Sequence, residues 1–168
     1  MSNRCWKLGD NVSTDEILPS QYMTLTDIHE LAPHVLEHSL PGFAEKIEAG
    51  DVIIAGINMG YGSSREHAPL SLKGAGVGLI VAKSFSRLFY RNCINISLPV
   101  VVCPLAVDES DDGDLLSADL KNGRLFNETK SLIFSFEPFP DFLLQYLLKG
   151  GLINALNEER LKMSGNNK

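Results

Sequence analysis

The sequence predicts an α/β fold, with compact β/α layers around a mixed, partly parallel sheet. Continuous apolar runs within Asp51–Ile57, Gly78–Ala82 and Val100–Val102 predict strands that are covered on both faces. Segments with helical spacing of apolar residues separate these runs, and such alternation favours parallel pairing. Asn122-Gly123, flanked by leucine-containing segments, is typical of a hairpin turn and adds an antiparallel part.

The first third of the chain is predicted to hold a strand, a polar loop and a helix. Cys5–Leu8 is predicted as a short strand and Ser13–Glu16 as a polar loop. Thr26–His38 carries apolar residues mostly at steps of three and four, which indicates a helix despite Pro33. Pro41-Gly42 then predicts a turn.

Pro69 limits where the first central helix can begin. Because proline fits only the first turn of a helix, the N-cap is predicted near Glu66–Ala68, with Ser63 and Ser64 in the loop before it. A second helix is predicted over residues 84–96. Its apolar face is predicted to hold Phe85, Leu88, Phe89 and Cys93.

The last third of the chain starts with an acidic stretch, Asp108–Asp114, which we expect to be an exposed loop or linker. A strand over Ser131–Phe136 and helical pieces over Phe139–Leu148 and Leu152–Leu161 follow, and Ser164–Lys168 is predicted to fray. We expect the whole chain, 168 residues, to form a single domain, because a chain of about 150 residues buries a substantial core.

Charge and cysteine usage exclude several classes of protein. The net charge is −6 without a long basic run, which argues against a nucleic-acid partner. The sequence shows no signal peptide, and no apolar run approaches the ~20 residues of a membrane helix. Cys5, Cys93 and Cys103 are odd in number and match no metal-site spacing. We therefore expect buried thiols, no metal site in this chain and a cytoplasmic location.

The segment Gly60–Pro69 concentrates the polar chemistry of the chain. Two glycines and two hydroxyls precede a guanidinium, a carboxylate and an imidazole, which is typical of a site for a small anionic substrate. Two simpler interpretations stay open. Ser63 and Glu66 fit a capping box, although Pro69 argues against a helix capped at Ser63, and the glycine-serine run resembles a phosphate cradle without the P-loop Lys-Ser/Thr.

In the functional interpretation, Ser63 acts as a base. Its alkoxide would be stabilised by backbone N–H groups, a helix N-terminus and Arg65, which can also bind a carboxylate in bidentate fashion. Thr14 and Asp15, in the earlier polar segment, either reach the same site or belong to a solvated turn.

Three further side chains are candidates for supporting roles. Glu66 and His67 either take part in the site or only hold the loop. Arg87 follows a strand, where open α/β sheets place ligand loops, but a structural ion pair is the alternative role for this arginine and the one we favour.

Three segments in this order, Gly9–Ile17, Gly60–Pro69 and Lys83–Phe89, resemble the swivelling domain of the aconitase superfamily. The resemblance is strong over residues 5–105, and the Gly-Ser-Ser-Arg-Glu-His-Ala run is its most specific part. The free-standing length and the Asp-Asn-x-x-Thr-Asp opening are most similar to the small subunits of the isopropylmalate dehydratases of leucine biosynthesis.

The resemblance implies a two-subunit hydro-lyase that isomerises 2-isopropylmalate to 3-isopropylmalate by dehydration and rehydration. It implies no cofactor in this chain, a [4Fe–4S] cluster in a large partner subunit, and a small dicarboxylate substrate. On the matching positions, Ser63 would remove the carbon-bound proton, Ser64 and Arg65 would bind substrate carboxylate, and Thr14 and Asp15 would line the site.

Within this family, substrate choice is attributed to a loop that corresponds here to Tyr22–Thr26. The loop lacks the arginine that homoaconitate would require, whereas Met23 and Leu25, on either side of Thr24, offer apolar surface for an isopropyl group. Tyr61 and Ser97 depart from the expected pattern and put the substrate range in doubt. Homoaconitate, citramalate or dimethylmalate are alternative substrates, and a non-catalytic anion-binding or regulatory module is the alternative from another class.

Overall fold

A mixed seven-stranded sheet organises the computed structural model, which describes residues 2–151. In chain order the strands are β1 (Asn3–Lys7), β2 (Val52–Ala55), β3 (Leu79–Ala82), β4 (Val100–Val102), β5 (Leu115–Asp119), β6 (Arg124–Asn127) and β7 (Leu132–Ser135). Their spatial order is β4-β3-β2-β1-β5-β6-β7. β1 to β4 pair in parallel and β5 to β7 continue the sheet in antiparallel fashion, so the mixed α/β sheet is confirmed.

Seven α-helices connect and cover these strands within the described residues. They are α1 (Thr14–Ile17), α2 (Ile28–Leu31), α3 (Phe43–Lys46), α4 (His67–Ala75), α5 (Arg87–Asn95), α6 (Pro104–Glu109) and α7 (Asp141–Leu148). Two 3₁₀ turns, Ser20–Tyr22 and Ala32–His34, add to them. None of the helices within residues 2–151 has the length and apolar character needed to cross a membrane.

Alternate residues of the central strands point into two separate cores. Ile53 and Ile80 belong to one core, which also holds buried residues of α1, α2, α4 and α5. Ile54 and Val81 belong to the other, which α6 and residues of the antiparallel strands cover and against which α7 packs. Because both faces of β2 and β3 are buried, these strands are apolar throughout, which is why the sequence predicted them well.

The region around Pro69 also folds as predicted. β2 is followed by a loop, and α4 begins at His67 with Glu66 as its N-cap. Ser63 lies three residues before that cap, so the capping box is not formed. Pro69 occupies the first turn, where its missing N–H leaves no hydrogen bond unmade.

The helix predicted over Thr26–His38 is wrong in its length. Only α2 is α-helical, and the chain then tightens into the 3₁₀ turn that contains Pro33. Proline lacks the N–H that a continuing helix requires, and Leu36 adopts a positive φ of 53°. The Ser13–Glu16 loop is also wrong, because α1 starts there with the Ser13 hydroxyl accepting a hydrogen bond from Glu16 N at 3.0 Å.

The acidic stretch Asp108–Asp114 is not a simple exposed loop. Its first two residues end α6, and Asp114 is buried. Asp114 Oδ2 accepts hydrogen bonds from Asn127 Nδ2 at 2.7 Å and from Asp111 N at 2.9 Å. The partner on β6 is distant in sequence, so local composition could not reveal this burial.

On α5, Phe89 and Cys93 are buried as predicted, whereas Leu88 is exposed and Phe85 precedes the helix. All three cysteines are free and buried, in agreement with their predicted role. The predicted helix over 152–161 and the frayed tail at 164–168 lie outside the described residues.

Candidate functional site

The loops that follow β1, β2 and β3 extend the parallel sheet beyond its regular strands. Gly60 N donates to Val12 O at 2.7 Å and Thr14 N donates to Tyr61 O at 2.8 Å, which ties the first loop to the second. Met59 N donates to Ser84 O at 2.9 Å, which ties the second loop to the third. Since carboxyl ends of parallel strands meet at one edge, three polar segments that are distant in sequence come together there.

Two glycines allow the second loop to approach its neighbours. Gly60 has φ +74°, and a Cβ there would lie 2.0 Å from a ring carbon of Phe89. Gly62 has φ +108°, and a Cβ there would lie 3.0 Å from Thr14 Oγ1. The glycines therefore make room for a core aromatic ring and for a hydroxyl of this chain.

Thr14 and Ser63 form the closest side-chain pair at this edge. Their hydroxyl oxygens are 3.1 Å apart, and Ser63 N donates to Thr14 Oγ1, also at 3.1 Å. Thr14 is 3% exposed, whereas Ser63 is half-buried. Because Thr14 Oγ1 accepts the amide hydrogen, its own hydrogen is free to point at Ser63 Oγ. This geometry suits a serine oxygen that carries negative charge.

Arg65 and Asp15 face each other on the solvent side of this pair. Arg65 Nη1 lies 3.8 Å from Asp15 Oδ1, and the two side chains are 45% and 63% exposed. An ion pair of this length and exposure contributes little to stability. The guanidinium thus keeps donors free for a carboxylate ligand, which it can bind in bidentate fashion.

Ser64 is exposed, and its backbone is held by a residue that the sequence analysis missed. Asn92 Nδ2, on α5, donates to Ser64 O at 3.0 Å. Asn92 lies three residues beyond the Lys83–Phe89 segment, and nothing in its spacing distinguishes it from a solvated asparagine. The contact depends on α5 packing beside the loop, which local sequence does not encode.

Glu66 and His67 lie where the loop becomes α4. Glu66 is exposed and its backbone carbonyl accepts from Leu70 N at 3.0 Å. His67 Nδ1 is buried and has no hydrogen-bond partner among residues 2–151. The N-terminus of α4 places partial positive charge behind Ser63 and Arg65, which favours an anion at this edge.

The remaining predicted site residues make no hydrogen bond to Ser63 or Arg65 within the described residues. Arg87 is the exposed first residue of α5 and forms no ion pair in the part of the chain that the structure describes, so its structural alternative is not realised there. Met23 follows the first 3₁₀ turn, Thr24 is exposed and Leu25 packs against the core.

Tyr22 anchors the Met23–Leu25 loop. Its ring stacks on His34 with centroids 3.7 Å apart, and its hydroxyl donates to Glu37 Oε2 at 3.2 Å. These two contacts hold the backbone at the start of the Met23–Leu25 loop.

No group of three or more His, Cys, Asp or Glu side chains among residues 2–151 is arranged to hold a metal ion. The cysteines lie on separate elements, in β1, in α5 and after β4. Burial raises the pKa of Cys5 to about 11, with the charge of Asp114 adding to it. Burial also raises the pKa of Cys93 and of Cys103 above the usual value. Thiols of this kind resist becoming thiolate ligands.

Comparison with known proteins shows that the chain is similar to proteins of the aconitase family. The family model described as aconitase C-terminal domain matches residues 11–104. The chain is 48% identical over 158 residues to the 3-isopropylmalate dehydratase small subunit of Nautilia profundicola, covering 94% of this chain and 95% of that one. It is also 48% identical over 151 residues to the methanogen homoaconitase small subunit of Methanothermobacter thermautotrophicus, covering 90% and 87% of the two chains.

A solved structure is similar over nearly its full length. The crystal structure of 3-isopropylmalate dehydratase from Methanocaldococcus jannaschii superposes with a TM-score of 0.92 at 38% identity. The match covers 99% of this chain and 98% of the other.

Proposed function

This chain belongs to the aconitase C-terminal domain family, and on that premise we propose that it is the small subunit of a two-subunit hydro-lyase. Its reaction is the isomerisation of 2-isopropylmalate to 3-isopropylmalate in leucine biosynthesis. The observation that carries the assignment is the Thr14–Ser63 hydroxyl pair, 3.1 Å apart, beside the exposed Arg65. Identity of 48% to a dehydratase small subunit over nearly the whole chain supports it.

Ser63 is the base in this proposal. As an alkoxide it removes the carbon-bound proton of 2-isopropylmalate, and the substrate hydroxyl leaves as hydroxide, which gives an enzyme-bound alkene with the proton held on Ser63 Oγ. Hydroxide then adds to the neighbouring carbon while Ser63 Oγ returns the proton to the carbon that had carried the hydroxyl, which yields 3-isopropylmalate and restores the alkoxide. Thr14 Oγ–H, Arg65 and the N-terminus of α4 stabilise the negative charge on Ser63 Oγ.

Ser64 and Arg65 bind a carboxylate of the substrate, while Thr14 and Asp15 line the site. The 45% exposure of Arg65 leaves its guanidinium accessible from the side on which a partner would close. Glu66 and His67 support the loop, and the whole chain acts as one swivelling domain. Arg87 supports the same edge from α5.

The family implies a [4Fe–4S] cluster, and this chain's residues do not fit it. The three buried thiols lie on separate elements and their raised pKa values disfavour thiolate. We assign the cluster to the large subunit, where it supplies a Lewis acid for the substrate hydroxyl and carboxylate. Unpaired thiols in all three positions also support a reducing compartment, the cytoplasm.

The Met23–Leu25 loop is the part of the chain that we expect to select the substrate. The Met23–Leu25 loop carries no arginine to pair the extra carboxylate of homoaconitate, and Met23 adds apolar surface suited to an isopropyl group. The methanogen homoaconitase small subunit, 48% identical to this chain, keeps that substrate as the second candidate. Citramalate and dimethylmalate are further alternatives of the same chemistry.

The test is to reconstitute the chain with its cluster-bearing large subunit and assay 2-isopropylmalate, homocitrate, citramalate and dimethylmalate. We expect 2-isopropylmalate to give the highest kcat/KM. Ser63→Ala should lower kcat by about 10²–10⁴-fold, the usual range for loss of general base catalysis, while assembly survives. Ser135→Ala, an exposed serine on β7, is the matched control. Unchanged turnover in Ser63→Ala would refute the base, and binding without any turnover would favour the non-catalytic module.

A further inference from the structure

The edge of the sheet that holds Ser63 also exposes apolar side chains. Val102, the last residue of β4, is 49% exposed, and Leu105, in the first turn of α6, is 69% exposed. Leu88, in the first turn of α5, is exposed as well. All three lie at the carboxyl edge, because they end a parallel strand or start the helix that follows one. Apolar groups gathered at one edge are typical of an interaction surface.

A cleft of about 330 Å³ opens between α5 and the end of β4. Arg87 and Arg91 are one helical turn apart on α5, and neither forms an ion pair within residues 2–151. Lys83, which precedes them, is by contrast paired with Asp108 at 2.5 Å. The cleft is lined by Ser84, Phe85, Arg87, Tyr90, Arg91 and Val102.

These features fit a protein segment better than a small molecule. Two unpaired guanidinium groups on a chain of net charge −6 call for a partner with carboxylates. Leu88, next to Arg87 in the chain, and Leu105, three residues after Val102, are exposed outside the cleft, and a small dicarboxylate bound in the cleft would leave them uncovered. Arginine and aromatic side chains with an apolar surround are the usual composition of an interface centre.

The same helix also holds the Ser63 loop. Asn92, next to Arg91 in the chain, donates to Ser64 O, and Phe85 of the cleft is bridged to Met59 of the loop. A protein bound in the cleft would therefore lie directly beside the site and share its supporting helix.

We propose that Arg87, Leu88, Arg91, Val102 and Leu105 form a docking surface for an acidic segment, flanked by apolar residues, of the cluster-bearing large subunit. This inference rests on the proposed function. Arg87 and Arg91 pair with its carboxylates, while Leu88, Val102 and Leu105 cover its apolar flanks. The salt-dependent part of subunit affinity then comes largely from α5.

The experiment measures the Kd of this full chain for the purified large subunit by isothermal titration calorimetry at low and high salt. Arg91→Glu should raise Kd by at least about 10-fold, as expected for an interface arginine, and should flatten the salt dependence. Val102→Asp should raise Kd by a similar factor. The matched controls are Arg124→Glu on β6 and Ile133→Asp on β7, both exposed and at the opposite end of the sheet from β4, and they should change Kd by less than about 2-fold.

Circular dichroism of each variant checks that it folds. If Arg91→Glu and Val102→Asp bind as tightly as their controls, the docking surface is wrong although the proposed function stands. If the wild-type chain does not bind the large subunit at all, the proposed function and the docking surface are both wrong. Binding at this surface by a non-acidic segment would show as an affinity that Val102→Asp weakens and Arg91→Glu does not, and it would overturn the assigned chemistry.

Discussion

The hydroxyl oxygen of Thr14 lies 3.1 Å from two atoms of Ser63, its backbone N, which donates a hydrogen bond to it, and its Oγ. One buried side chain thus fixes both where the serine backbone lies and what its hydroxyl oxygen meets. The contact joins α1 to the loop after β2 across 49 positions of sequence.

Replacing Thr14 by valine should remove both hydroxyl contacts to Ser63 while the packing of the side chain is kept. Valine keeps the shape but removes the hydroxyl, so Ser63 Oγ loses its neighbouring donor. Loss of one donor to a developing oxyanion typically lowers kcat by about 10²–10³-fold, and we expect a fall towards that range with a smaller change in KM. Steady-state kinetics of the reconstituted enzyme provide the measurement. Thr14→Ser should retain most activity; equal kcat values for the serine and valine variants would mean that the hydroxyl has no such role.

Gly60→Ala should destabilise the fold more than Gly113→Ala, because both glycines have a positive φ but only Gly60 lacks room for a Cβ. At Gly60 the new Cβ would lie 2.0 Å from the Phe89 ring, whereas at Gly113, with φ +87°, it would meet nothing within 4 Å. Both variants pay for a left-handed backbone, about 1–2 kcal/mol, but only Gly60→Ala adds an overpacking cost of about 1–3 kcal/mol. Urea unfolding measures the difference. Similar losses at both positions would show that the loop moves away from Phe89 without cost.

Asn92→Ala should weaken substrate binding without affecting the Ser63 chemistry. It removes the hydrogen bond to Ser64 O and loosens the segment that carries Ser64 and Arg65, the proposed carboxylate ligands. A bond of this kind is worth about 0.5–1.5 kcal/mol, so KM should rise by roughly 2–10-fold while kcat changes less. Asn95→Ala, at the end of the same helix, is the control for helix content. A fall in kcat at constant KM would contradict this division of roles.

Asp114→Asn should lower stability in a pH-dependent way. Burial alone would raise the pKa of Asp114, but hydrogen bonds from Asp111 and Asn127 and the charge of Lys130 hold it below its usual value. Its stabilisation is therefore present above the unfolded pKa of about 3.9 and is lost as pH falls through the lower folded pKa. The amide oxygen of the variant can still accept the hydrogen bonds from Asn127 and Asp111, so the loss comes from the negative charge, which strengthens those bonds and attracts Lys130.

Urea unfolding of wild type and Asp114→Asn between neutral and acidic pH provides the test. The gap in unfolding free energy should be largest at neutral pH. It should shrink below about pH 4, where the carboxyl is protonated first in the unfolded chain and, at lower pH, in the folded chain. The exposed Glu30→Gln variant should show no comparable gap at neutral pH. A gap that stays constant down to acidic pH would mean that packing, and not ionisation, sets the effect.

The parts of the fold that the sequence predicted are those with strong local signals. Buried on both faces, β2 and β3 are unbroken apolar runs, and Pro69 alone places the start of α4. The helix predicted over Thr26–His38 is too long because the apolar periodicity continues past Pro33, whereas the α-helix ends at Leu31. The burial of Asp114 could not be foreseen, since it depends on Asn127 from a strand that sequence pattern does not pair with it.

The candidate site divides in the same way. One polar motif holds Ser63, Ser64 and Arg65 side by side in the sequence, so their closeness can be predicted without the fold. The contact of Thr14 with Ser63 follows from the parallel pairing of the first two loops, which local sequence does not encode. Asn92 has no local signal, because its role exists only once α5 lies beside the loop.

The ladder of backbone hydrogen bonds that runs past the strand ends has a thermodynamic consequence. The amides of Gly60, Met59 and Thr14 are paired across three loops, so the loop cannot open without disrupting the edge of the sheet. These amides should then exchange with deuterium through the same cooperative opening as the central strands and not through local fraying. A subunit built in this way brings its half of the site already ordered, and little entropy remains to be lost when substrate arrives.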